Sequence, residues 1–87
     1  MIIGTNTSLE HQGQTYHIQC EDLGVDLALF EIRVYSEGTI LWQKRIPYDP
    51  KLEGMDRLQK DEALRDQMAK LVKTVKAAIL QGKIKRT

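Results

Sequence analysis

The stretch "LALFEIRVYSEGTILWQKRIPY", Leu27 to Tyr48, decides the fold. It is rich in β-branched and aromatic residues and is interrupted once, at "SEGT", where glycine accepts the positive φ of a tight turn. It therefore reads as a β-hairpin. Two registers are open. A three-residue loop, Ser36 to Gly38, pairs Val34 with Ile40, Ile32 with Trp42 and Phe30 with Lys44. A two-residue loop pairs Val34 with Leu41 and moves the second strand's side chains to the opposite face. Pro47 and Pro50 end the strand region.

Upstream, "TSLEHQGQTYHIQC" reads as another hairpin, with Gln12-Gly13 as its two-residue turn. That turn sets Leu9 opposite Tyr16, Thr7 opposite Ile18 and Thr5 opposite Cys20 on one face. Ser8–His17 and Glu10–Thr15 then share the other face. Between the hairpins, "EDLGVD" is polar, contains Gly24 and reads as a loop.

Downstream, Leu64, Met68, Leu71, Val75 and Ala78, widened by Val72 and Ile79, form one apolar helical stripe. Asp56 and Gln59 are spaced as a capping box, and Gly82 is placed to stop the helix. Asp61, Glu62 and Asp66 early, and lysines late, are expected to complement the macrodipole. The reading is α+β: a four-stranded antiparallel sheet of two hairpins, followed by one long C-terminal helix packed across it. It is one domain, with the sheet over 1–48, a linker over 49–56, the helix over 57–81 and a basic tail over 82–87.

A helix of about 25 residues spans roughly 37 Å, against roughly 23–30 Å for strands of seven to nine residues, so the helix is expected to overhang the sheet. The hairpin that decides the fold carries Phe30, Ile32 and Val34 on one face, and Leu29 and Tyr35 on the other. One helix cannot cover both faces. The excess, with Leu29, Tyr35 and Leu41 as candidate residues, points to a homodimer interface. With only 87 residues the chain's own core is small, which favours help from a partner subunit.

Composition fits a soluble globular protein, with 41% hydrophobic and 29% charged residues. One cysteine excludes an intrachain disulfide. The beginning, "MIIGTNTSLE", lacks the basic and apolar regions of a signal peptide, and no run is long enough to span a membrane. A cytoplasmic location is expected. Net charge is only +1, but residues 1–32 hold five acids and no Lys or Arg, and residues 70–87 hold six bases and no acid. Such asymmetry suits a nucleic-acid contact, head-to-tail association, or simply cations at a helix C-terminus.

The chemistry-bearing residues cluster in "TYHIQCEDLG", Thr15 to Gly24. On a strand, His17 and Cys20 point to opposite faces. One Cys and two His fall short of a zinc ligand set. Cys20 shares an apolar face with Tyr16 and Ile18 and reads as an inert buried thiol. No nucleophile elbow, zincin helix, P-loop or dinucleotide glycine motif is present. No enzyme activity, cofactor or metal is expected. Glu21, Asp22 and Asp26 read as solvated loop carboxylates able to bind a partner's lysines, and Lys83, Lys85 and Arg86 form a basic end. Arg33, Lys44 and Arg45 lie near Trp42 on the strands, the pattern of a surface that stacks single-stranded bases. The ordinary alternative for Trp42 is packing under the helix.

Two resemblances bear on these alternatives. The β-β-β-β-α order resembles the Whirly and Pur-type single-stranded nucleic-acid binders, which dimerise. "QCEDLG" (Gln19 to Gly24), "VYSEGTILWQKRIPY" (Val34 to Tyr48) and "AAILQGKI" (Ala77 to Ile84) resemble small bacterial domains of unknown function. In those, an EDLG loop precedes a G-x-I-L hairpin and a long C-terminal helix. That family usually has two glycines at the hairpin turn, where this chain departs from the pattern with Glu37 and Gly38. The resemblance implies a bacterial cytoplasmic module and supplies no functional residues. The expected function is a self-associating, non-enzymatic protein-interaction or regulatory module that binds an unidentified protein partner. The alternative is a single-stranded nucleic-acid binder.

Overall fold

A computed structural model describes residues 4–84. Four strands, β1 (Gly4–His11), β2 (Gln14–Asp22), β3 (Leu29–Ser36) and β4 (Thr39–Pro47), form one antiparallel sheet in sequence order. A single 3-10 turn (Pro50–Leu52) leads into α1 (Arg57–Leu80). The β-β-β-β-α architecture follows from the two hairpin patterns and the one amphipathic stripe.

The first hairpin has the expected register, with Leu9 opposite Tyr16, Thr7 opposite Ile18 and Thr5 opposite Cys20. Gln12 and Gly13 both take positive φ, 53° and 77°, the two-residue turn whose twist matches the strands. The second hairpin begins in the two-residue register and then leaves it. Its turn is also two residues, Glu37 (φ 51°) and Gly38 (φ 76°), so a second glycine is not needed there. Ser36 pairs with Thr39 and Tyr35 with Ile40, but a β-bulge then shifts the ladder, and Val34 pairs with Trp42, Ile32 with Lys44 and Phe30 with Ile46. Leu41 is the extra residue. A bulge lets two consecutive side chains turn to one side, and both Leu41 and Trp42 pack against the core. An unbulged ladder would bury only one of them.

The covered face of the sheet carries Tyr16, Ile18, Cys20, Phe30, Ile32 and Val34, all buried. Against it α1 sets Leu64, Met68, Val75 and Ile79. The helix backbone approaches β1, β2 and β3 and not β4, so Trp42 and Ile46 remain half-buried. Buried Ser36 is satisfied by donating to the Thr15 carbonyl (3.0 Å) and accepting from Gln14 Nε2 (2.9 Å).

The helix ends as its sequence suggests. Asp56 Oδ1 accepts from the Gln59 amide (2.9 Å) while Gln59 Oε1 accepts from the Asp56 amide, completing the capping box. Gly82 (φ 75°) stops it, with Gly82 N–H on the Ile79 carbonyl and Lys83 N–H on the Ala78 carbonyl. The macrodipole expectation does not hold. The first turn has no acid and the last no base, and the effect fades within one turn. Gln67, nearly three turns in, accepts from the Asp49 amide (2.9 Å) and donates to the Pro47 carbonyl (3.2 Å), tying the linker to the end of β4.

Truncating the stripe should therefore be far more damaging than truncating the opposite face. Met68→Ala is expected to lower unfolding free energy by about 2–5 kcal/mol, and Leu58→Ala, at a position 78% exposed, by less than about 0.5 kcal/mol. Urea denaturation of the two variants checks this.

Candidate protein-interaction surface

The carboxylates expected in a loop divide. Glu21 and Asp22 are the last residues of β2, and the loop is 23–28. Asp22 is a correction to the sequence reading. It is not solvated but 6% exposed, because its even position points it to the covered face beside Cys20 and Ile18. Its Oδ1 accepts from the Tyr48 hydroxyl and from the Gly24 amide (3.0 Å).

That pairing organises the loop. The Leu23 amide donates to the Leu29 carbonyl and the Ala28 amide to the Gly24 carbonyl, both at 2.9 Å. The Tyr48 amide donates to the Ala28 carbonyl at 2.9 Å, and the Tyr48 ring tilts against Phe30 at 5.0 Å. Gly24 takes φ 100°, a conformation side chains disfavour, and Ala28 takes φ 54°. The loop is thus braced from both sides. On it Val25 is 63% and Leu27 58% exposed, with exposed Asp26 between them. Val25 lies on the rims of two clefts. One, of about 590 Å³, is walled by Asp22–Asp26 and by Arg57, Asp61, Leu64 and Arg65 of α1. The other, of about 320 Å³, runs past Ala28, Tyr48 and Leu52 to Lys60.

The other candidate residues do not converge. Lys83 is exposed beyond the far end of α1, a helix of 24 residues and hence roughly 36 Å from the loop, while Lys85 and Arg86 lie outside the described residues. The nucleic-acid set is split by the sheet. Arg33 and Arg45 stand on the open face, where both pair with Glu31, itself only 9% exposed. Trp42 and Lys44 point to the helix side, because the bulge puts them in register with Val34 and Ile32. The three residues named for a dimer are split as well. Leu29 and Tyr35 share the open face with Glu31 and Arg33 between them, whereas Leu41 packs on the core.

On the open face Ser8 Oγ and His17 Nδ1 are 3.1 Å apart. A nucleophile–base pair also needs a third group to orient the histidine, and among the described residues none bonds His17. No three His, Cys, Asp or Glu side chains among the described residues converge as a metal site. Burial, and then the charges of Asp22 and Glu21, push the Cys20 thiol up to about 11. Burial, and then the bond to Asp22, also raise Tyr48, which holds its proton as a donor. Sequence reasoning misses Tyr48 as the loop's anchor. Gln67 was missed too. A tyrosine directly after a strand-ending proline was the only visible signal.

No protein-family model, no curated protein and no solved structure matches the chain.

Two measurements test this site. Tyr48→Phe leaves buried Asp22 short of a donor, so stability is expected to fall by about 1–3 kcal/mol, with faster amide exchange at residues 24–28. Folding favours protonated Cys20, so its contribution is complete below the ordinary value of 9.0 and is lost as pH rises toward 11. Urea midpoints are expected to drop across that window, less steeply in Cys20→Ala, and iodoacetamide is expected to label Cys20 at pH 8 only after unfolding.

Proposed function

We propose that this chain is a non-enzymatic protein-interaction module that docks a partner on the loop 23–28 and the adjoining start of α1. The observation that carries this reading is the exposure of Val25 and Leu27 on a loop fastened at its ends by the bonds of Asp22 and Tyr48. An ordered loop loses little further entropy on binding, so its apolar side chains are effective anchors. The flanking groups are of both signs, Asp26 and Asp61 against Arg57, Lys60 and Arg65. They suit a partner segment with an apolar anchor between charged residues. Nucleic-acid binding has less support, since Arg33 and Arg45 already serve Glu31 and Trp42 lies across the sheet from them.

The test compares wild type with a Val25→Asp, Leu27→Asp variant as immobilised bait in extract of the source cells. Both substitutions are at exposed positions, so circular dichroism and thermal midpoint should be unchanged. A specific partner is expected on wild type and depleted at least tenfold on the variant. Identical captures on both baits would refute the surface. A fluorescent single-stranded oligonucleotide at low salt is expected not to bind, and tight, steeply salt-dependent binding would favour the nucleic-acid reading.

A further inference from the structure

The sheet has two free edges, β1 and β4, and they are built differently. β4 carries a bulge at Leu41, charges at Lys44 and Arg45, and Pro47, which has no amide hydrogen. These are the usual devices that stop a sheet from extending. β1, "GTNTSLEH", has none of them. It pairs with β2 without a break over eight residues, holds no proline, lysine or arginine, and its one carboxylate, Glu10, lies near the turn.

The turn fixes which backbone groups the edge offers. His11 and Gln14 flank a two-residue turn and exchange both hydrogen bonds, so alternation directs Thr5, Thr7 and Leu9 toward β2. Gly4, Asn6, Ser8 and Glu10 then aim N–H and C=O outward. All four are exposed, and among the described residues no backbone bond outside the strand ladders involves them.

We propose that this edge pairs antiparallel with the β1 edge of a second copy of the chain, about a two-fold axis through Thr7. The partner is another copy because the edge is self-complementary in one register. With Thr7 facing Thr7, Asn6 faces Ser8 and Gly4 faces Glu10, so all four outward residues of each copy are bonded. A shift by one residue mismatches the two faces, and a shift by two leaves an outward residue unpaired at each end. No like charges meet, and Thr5 lies against the half-buried Leu9 of the second copy on the covered face. The product is a continuous eight-stranded sheet with both helices on one side. This inference stands apart from the docking loop, which lies at the end of β2.

The experiment is sedimentation velocity of the full chain over a wide micromolar range, with three variants. Wild type is expected at twice the 10.0 kDa chain mass. Ser8→Pro removes an outward N–H and no β1–β2 backbone bond, giving up only the exposed Ser8–His17 side-chain contact, so a folded monomer is expected. The double variant Asn6→Lys, Ser8→Lys, at exposed positions, sets lysines opposite lysines and is expected to be a folded monomer too. It keeps the test valid where proline disturbs folding. Under oxidation Thr7→Cys is expected to give a disulfide-linked dimer, its residues lying directly opposite on the axis, while Asn6→Cys is not. A wild-type monomer at every concentration overturns the proposal, as does a dimer that survives the lysine pair.

Discussion

One helix covers one face of one sheet, and the rest of the molecule depends on that contact. Leu64, Met68, Val75 and Ile79 meet Tyr16, Ile18, Cys20, Phe30, Ile32 and Val34, and these two sets are most of the core. A chain of 87 residues has little apolar surface to spare. The covered face therefore takes in whatever else it can reach. The bulge in β4 brings Leu41 and Trp42 in together, and Leu52 and Ile84 close the cluster from the linker and from beyond the helix stop.

Covering only one face also decides where polar groups end up. The open face keeps its polar character even where it is crowded. Glu31 is buried there but flanked by Arg33 and Arg45, so its charge is compensated and the arginines are engaged. On the covered face a carboxylate appears at Asp22, where the apolar layer ends. It is acceptable only because the Tyr48 hydroxyl and the Gly24 amide bond it. That satisfied carboxylate fastens the connection between the hairpins that carries Val25 and Leu27. A packing requirement at the rim of the core thus becomes the feature on which the proposed docking function rests.

The same geometry separates residues that sequence proximity groups together. Arg33, Trp42, Lys44 and Arg45 look like one basic and aromatic surface when the strands are read side by side. Strand alternation, shifted by a single bulged residue, sends half of them to each face. Glu21 and Asp22 are adjacent in sequence, yet one is half-buried on the open face and the other is locked into the core rim.

What the sequence determined by itself was set by contacts near along the chain. The register of the first hairpin followed from Gln12-Gly13, the extent of the helix from Asp56, Gln59 and Gly82, and the covered faces from periods of 2 and 3.6 residues. The fold class followed from these alone. What only the tertiary structure decided joins residues far apart in the chain: the bond from Tyr48 to Asp22, the clasp of Gln67 on Pro47 and Asp49, and the ion pair of Glu31 with Arg45. The bulge at Leu41 belongs with them. Turn geometry proposes a register, but the packing of two neighbouring apolar side chains against one core overrules it, and that competition is resolved only when the covered face closes into that core.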